Sequence, residues 1–198
     1  MRHAFLLTTA LLLVSCAGVG TRFRSPNCPV VPRFRSELSD DLDLRARMHF
    51  AVGDREVHLE VVARSSPEEL VVVGIASYGA RVFAAQQRGR TITVKDAATR
   101  KFEYLARWTM DALHRSVWIQ APADAGSGSV VRWSWENERV TESVQAGERR
   151  REFSRIGASA PVLIRYREQV IEIQNPWCGY HAVFALVSDV SKGESFRE

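Results

Sequence analysis

Residue types that perform catalysis occur in this chain, but their spacing does not build a catalytic site. Ser77 follows Gly74-Ile75-Ala76, whereas a nucleophile elbow needs a glycine two residues before its serine, where Ile75 stands. We assign Ser77 to a turn. Asp111 and His114 are one helical turn apart, which predicts a surface pair, since no nucleophile accompanies them. The sequence predicts a protein that is not an enzyme and uses no cofactor.

Metal and nucleic-acid chemistry are not indicated either. His49 and His58 fall in separate strand patterns with no carboxylate cluster at metal spacing, and no histidine lies at ligand spacing from Cys28 or Cys178. The net charge is +4, without a long basic block. The densest basic run, residues 148–151, predicts a solvated strand face, with contact to anionic lipid headgroups as the alternative. We expect no metal and no nucleic-acid partner.

The first sixteen residues have the composition of an export signal. Arg2 and His3 form a short basic head, and residues 4–14 are apolar apart from two threonines, over a run too short for a stable membrane span. The tetrapeptide Leu13-Val14-Ser15-Cys16 resembles a bacterial lipobox. This resemblance implies cleavage before Cys16 and acylation of its sulfur and new amino group, with a plain secretory signal as the alternative. Two or more acyl chains hold a protein firmly on a membrane.

Export has consequences for location and for the other cysteines. Ala17 follows the acylated cysteine, where an aspartate favours inner-membrane retention, so the lipobox resemblance implies an outer-membrane lipoprotein of the cell envelope that faces the periplasm. Cys28 and Cys178 then enter an oxidising compartment, which predicts a disulfide between them. In the chain-entropy picture a loop of this length contributes up to about 5 kcal/mol.

The composition divides the chain into four parts. Residues 1–15 are the predicted signal peptide, and residues 16–40, rich in proline and glycine, are a predicted tether. Residues 41–190 have the size of one domain, and residues 191–198 form a predicted tail.

Within the predicted domain, apolar residues recur with strand periodicity. About ten short runs alternate as Val57, Leu59 and Val61 do, and turn residues separate them. One segment, between Thr99 and Arg115, has helical spacing instead. The pattern predicts a mainly β (α+β) fold, in which a curved antiparallel sheet or incomplete β-barrel of about ten strands encloses one or two helices.

The order of these elements resembles that of the LolB-like lipoproteins. A narrower resemblance, to a lipoprotein family encoded with aryl-polyene biosynthesis genes, is carried by residues 70–83, by Ile164-Arg165-Tyr166 and by Gly179-Tyr180. The resemblance implies an incomplete barrel whose apolar cavity shields a lipidic ligand or lipoprotein cargo, with a periplasmic carrier protein as a further partner. LolB also delivers lipoproteins with an apolar residue on a protruding loop. The corresponding connection here, Ser77-Tyr78-Gly79, is too short to protrude far.

Ten apolar or aromatic residues are the candidates for lining such a cavity. They are Val72, Phe83, Leu105, Trp108, Trp118, Trp133, Trp135, Ile164, Tyr166 and Phe184. The alternative interpretation is that these side chains fill an ordinary packed core. A second hypothesis for the function, a structural or assembly lipoprotein of an envelope complex, follows from that alternative.

Overall fold

The structure, a computed structural model, describes residues 43–66, 68–121 and 129–187. These residues form eleven β-strands and one helix that continues into a π-helical turn. The first strands are β1 Asp43–Val52, β2 Arg55–Ser65, β3 Leu70–Ile75, β4 Arg81–Arg88 and β5 Thr91–Ala97. The helix α1 is Arg100–Leu113, and its π-helical segment is His114–Trp118. The later strands are β6 Val130–Trp135, β7 Glu138–Gln145, β8 Glu148–Ser154, β9 Val162–Arg167, β10 Val170–Asn175 and β11 Tyr180–Leu186.

All eleven strands belong to one antiparallel sheet, in the order β5-β4-β3-β2-β1-β11-β10-β9-β8-β7-β6. The pairing of β1 with β11 joins the first half of the sheet, β1–β5, to the second half, β6–β11. Because an antiparallel meander alternates direction, an odd number of strands leaves the two edge strands, β5 and β6, pointing the same way. They do not pair in the described sheet. The predicted mainly β fold with an incomplete antiparallel barrel is confirmed, with eleven strands rather than about ten.

The alternating sequence of each strand places one set of side chains inside and the other outside. In β1, Leu44, Met48 and Phe50 are buried, whereas Arg45 and Arg47 between them are exposed. The buried set defines the concave face of the sheet, and the exposed set defines its convex face.

The helix lies on the concave face between the two halves of the sheet. Its apolar residues recur at helical spacing, and Leu105, Trp108 and Ala112 are buried against the sheet. The ring of Trp108 stacks on that of Phe50 from β1, with centroids 6.0 Å apart. The predicted helix between Thr99 and Arg115 is confirmed, and the last residues of the segment belong to the π-helical turn. Among the described residues, no helix has both the length and the apolar character needed to cross a bilayer.

One glycine in the sheet is required by a close approach. Gly74 of β3 pairs with Phe83 of β4, next to a register shift in the ladder. A Cβ atom on Gly74 would lie 2.7 and 2.8 Å from Cζ and Cδ1 of the Phe83 ring. Because glycine has no side chain, the fully buried ring of Phe83 can pack directly against the backbone of Gly74.

Candidate functional site

The structure brings the ten predicted lining residues into one interior, between the concave face and the helix. Nine of them are buried, and Tyr166 is half-buried at the margin of the same cluster. Trp133 and Trp135 are two residues apart on β6, and both face inward. In the described conformation the helix side chains occupy this interior, so that Trp118 and Phe83, for example, are at most 1% exposed. Nine of the ten residues thus belong to the packed core of the described part of the chain, and Tyr166 packs against it.

The helix ends in a π-helical turn that carries Trp118 into this interior. Ile119 donates its backbone N–H to the carbonyl of His114, the five-residue spacing of a π-turn. The hydroxyl of Ser116 donates to the carbonyl of Ala112 at 2.7 Å, and Tyr166 of β9 donates its hydroxyl to the carbonyl of Ser116 at 2.8 Å. Side-chain hydroxyls thus donate hydrogen bonds to carbonyl groups near the end of the helix, where the last carbonyl groups have no partner within the helix.

A buried ion cluster attaches the helix to the second half of the sheet. Arg115 donates to Asp111 of the helix at 3.0 Å and to Glu138 of β7 at 2.6 Å. Its guanidinium also lies 5.4 Å from the ring centroid of Trp135 and 4.9 Å from that of Phe153. Burial alone would lower the pKa of Arg115, but the two carboxylates outweigh it and hold that pKa above its usual value.

The carboxylate of Asp111 has further partners on the last two strands. Tyr180 donates its hydroxyl to Oδ2 of Asp111 at 2.9 Å, and Asn175 donates its side-chain amide to the same oxygen at 3.2 Å. Burial raises the pKa of Tyr180 well above its usual value, and the neighbouring carboxylate raises it further. Asp111 therefore connects the helix to β10 and β11.

The basic run of residues 148–151 is only partly a solvated strand face. Arg150 is exposed, whereas the prediction is wrong for Arg149 and Arg151. Arg151 is 1% exposed and donates to the carbonyls of Arg115 and Ile119 at 2.8 and 2.6 Å, at the end of the helix. Its Nε donates to Glu142 of β7 at 2.7 Å. Arg149 faces the same side and lies over the Tyr166 ring, 3.9 Å from its centroid. Anionic partners within the protein, rather than water, explain this orientation.

The prediction of a surface pair between Asp111 and His114 is also wrong. Both side chains are buried, at 2% and 1% exposure. Asp111 bonds to Arg115, whereas the Nε2 atom of His114 lies 2.6 Å from Oε1 of Gln87 in β4. The turn assigned to Ser77 is confirmed, and the short connection there exposes Tyr78 at its tip.

An ion pair connects the two halves of the sheet at its open side. Arg90, in the turn between β4 and β5, donates to Glu136, in the turn between β6 and β7, at 2.8 Å. These turns belong to the two hairpins that carry the edge strands. The ion pair therefore bridges the gap that separates the halves of the incomplete barrel.

Two grooves formed by described residues lie on the convex face of the sheet, not in the interior. One groove of about 500 Å³ lies near the ends of β9–β11 and is lined by residues such as Leu163, Pro161 and His181. A second, of about 380 Å³, is lined by Val62, Val71 and other residues of β2 and β3.

The buried polar residues of the interior were missed in the sequence. Glu138, Asn175 and Arg151 read as surface residues when each is taken alone. The signal that identifies them is the alternation of side chains along a strand. Arg151 is two residues from buried Phe153, and Glu138 is two residues from buried Val140, so each faces the interior. Of the two predicted disulfide residues, Cys178 is buried and disulfide-bonded. Cys28 lies outside the described residues, as does Cys16, so their predicted roles stay predictions.

Sequence comparison assigns this architecture to a family. The profile of the family described as "Protein of unknown function (DUF3261)" matches residues 43–188. The chain belongs to this family. The matched DUF3261 range includes every strand of the sheet, the helix and all ten interior candidates. A search of the curated proteins finds no match to the chain.

Proposed function

We propose that this DUF3261 protein is a membrane-anchored periplasmic lipoprotein of the outer membrane that binds or transfers a lipidic cargo without enzymatic chemistry. The observation that carries the proposal is the incomplete barrel: within the described ranges, a single helix covers a concave face rich in large apolar and aromatic side chains. The edges of that sheet, β5 and β6, do not pair in the described part, so a side of the interior is bounded by an ion pair instead of a strand ladder. Such a face suits hydrocarbon.

Cargo binding in this proposal requires the helix to move. The interior of the described conformation is filled, and hydrocarbon gains access only where helix side chains leave it. Apolar contacts and the contact of His114 with Gln87 hold the helix to the first half of the sheet. Arg115 and Asp111 hold it to the second half through charges and hydrogen bonds. Opening between the halves would separate Arg90 from Glu136 and expose the apolar concave face.

Two indole groups support a polar end for the cargo. The Nε1 atoms of Trp118 and Trp133 are buried and have no hydrogen-bond acceptor among the described residues. A buried donor without a hydrogen-bond acceptor typically lowers the stability of the fold by about 1–3 kcal/mol. An ester carbonyl or phosphate oxygen of a lipid would accept from these groups, close to the cation of Arg151, which lies 5.7 Å from the Trp133 ring centroid.

The cargo class in the proposal follows the resemblance to LolB-like lipoproteins. An acylated product of the aryl-polyene type, handed over by a periplasmic carrier protein, combines a long apolar body with a polar end. The membrane is the other partner, reached through acylated Cys16. The short connection that exposes Tyr78 gives no protruding loop of the LolB kind, so the proposal is lipid handling rather than lipoprotein insertion.

Ligand binding tests the proposal. A Cys16→Ser protein in which a plain cleavable secretory signal replaces residues 1–15 lacks the acylation site and the apolar leader, and it can be purified without detergent. Native mass spectrometry after incubation with stearate or with phosphatidylglycerol should detect one ligand per chain. A Trp133→Ala variant that keeps its circular-dichroism spectrum should lose that ligand. The proposal fails if neither lipid adds mass to the folded protein.

A second candidate function, an envelope scaffold, is favoured by the filled interior. The convex-face groove lined by Val62, Val71 and Val73 offers apolar surface to a protein partner. A photo-crosslinking residue at Val71 should then join the protein to one partner in intact membranes, and Trp133→Ala should leave that crosslink unchanged. Loss of bound lipid in Trp133→Ala supports the carrier instead.

A further inference from the structure

Two histidines and a glutamate converge on the convex face of β1 and β2. His49 of β1 is directly opposite His58 of β2 in the strand register. Glu56 precedes His58 by two residues, so both side chains leave the same face of β2. The helix and the interior lie on the other side of the sheet. This cluster is therefore separate from the proposed lipid site.

The three side chains are close enough to share one ion. Nε2 of His49 lies 3.3 Å from a carboxylate oxygen of Glu56, and one ligand atom from each of the three residues lies within 4.8 Å of the others. The two imidazole rings stack with centroids 4.5 Å apart and an interplanar angle of 9°. His49 is half-buried, whereas Glu56 and His58 are exposed.

Two imidazoles and one carboxylate form a donor set that suits a divalent transition metal. With metal–nitrogen distances of about 2.0–2.1 Å, ligand atoms around a tetrahedral zinc ion are about 3.3 Å apart. The cluster spans somewhat more, and rotation of exposed His58 and Glu56 about their side-chain torsions can shorten these separations at little energetic cost. Half-buried His49 supplies the fixed ligand, and solvent supplies the remaining coordination position.

We propose that His49, Glu56 and His58 form a surface site for a divalent transition-metal ion, with Zn²⁺ as the reference ion. The sequence did not indicate it because the histidines are nine positions apart, and only the β1–β2 register makes them neighbours. The donor set also suits Cu²⁺ and Ni²⁺, which prefer imidazole ligands as zinc does.

The chain offers a matched control on the same face. His181 of β11 is half-buried and lies 3.2 Å from Glu172, so it too is a histidine beside a carboxylate. It belongs to no group of three ligands among the described residues. A glutamine at this position should therefore leave zinc binding unchanged.

Isothermal titration with ZnCl₂ of the mature Cys16→Ser protein, carrying no polyhistidine tag, tests the site. One zinc ion should bind per chain, and His49→Gln and His58→Gln should each weaken binding by about tenfold or more, since even a hydrogen-bond partner of a metal ligand is worth that much. With Cu²⁺ as a second probe, paramagnetic resonance should detect two coordinated nitrogens, and one in either variant.

Three results would overturn the proposal. They are the absence of binding at about 100 µM zinc, equal binding by the wild-type protein and both histidine variants, and equal loss of binding in His181→Gln. Because circular dichroism follows the fold of each variant, a loss of binding is assigned to the site only where the spectrum and melting curve match those of the wild type.

Discussion

Arg115 and Glu138 form a bidentate ion pair, in which Nη1 and Nη2 lie 2.6 and 3.2 Å from the two carboxylate oxygens. Both side chains are almost fully buried, at 2% and 6% exposure. The pair connects the π-helical segment to β7, in the second half of the sheet. Asp111 shares the same guanidinium, so two buried carboxylates depend on one cation.

Removing that cation should destabilise the fold strongly. In Arg115→Leu the carboxylates of Asp111 and Glu138 stay buried without their partner, and a broken buried pair typically costs about 3–5 kcal/mol. Urea denaturation followed by circular dichroism measures the change in the free energy of unfolding. A loss below about 1 kcal/mol, the range of surface pairs, would contradict the role given to this cluster.

The helix provides a matched control for this measurement. Glu103 and Arg107 are also four residues apart, at 3.4 Å, but their side chains are 45% and 42% exposed. Solvent screens such a pair, so Arg107→Ala should change the free energy of unfolding by about 0.5 kcal/mol or less.

A side chain at Gly74 should destabilise the sheet. Gly74→Ala forces the buried Phe83 ring out of its position, and such overpacking typically costs about 1–3 kcal/mol. In a Phe83→Leu background the same substitution should cost less, because the ring that collides with the new Cβ is absent. Urea denaturation of the four proteins gives the coupling energy, and strictly additive effects would contradict this close approach.

The disulfide of Cys178 should connect it to Cys28. Mass mapping of the non-reduced protein should recover a peptide pair that contains both residues. Recovery of Cys178 linked to Cys16 would contradict both the pairing and the acylation of Cys16. Reduction should lower the midpoint of thermal unfolding if the link constrains the unfolded chain.

The stability of the fold should fall as the pH rises above about 10. A tyrosine in the unfolded chain ionises near pH 10, whereas burial and Asp111 hold the pKa of native Tyr180 well above that value. The contribution of Tyr180 is therefore complete below pH 10 and is lost between pH 10 and the raised native pKa. Tyr180→Phe should reduce the slope of unfolding free energy against pH, measured by urea denaturation from about pH 9 to about pH 11. An equal slope in both proteins would contradict the shift.

The architecture was predictable because period-two alternation fixes which side chains share a face. Leu59 and Val61 identify the inner face of β2, and Trp133 and Trp135 that of β6. Only the sheet's pairing order, which depends on contacts between distant segments, brings β1 next to β11.

The polar interior was less predictable than the apolar one. A rule that places charged residues on the surface assigns Arg151 and Glu138 wrongly, because a buried charge is stable only beside partners that the sequence does not identify. His49 and His58 illustrate the same limit on the convex face, where strand register alone brings them together. Properties that depend on pairs of distant residues were therefore the ones missed.

Contact between hydrocarbon and the interior tryptophans is the most direct test of the proposed carrier. A dibrominated stearate quenches indole fluorescence on contact, and unbrominated stearate controls for changes in conformation. We predict saturable quenching of the Cys16→Ser protein at one ligand per chain, weaker in Trp133→Phe. Quenching should be unchanged in Trp177→Phe, because Trp177 lies in the turn between β10 and β11 and donates its indole N–H to the carbonyl of Ala160 at 2.6 Å. The absence of saturable quenching, or quenching that depends on Trp177 alone, would contradict lipid binding between the helix and the concave face.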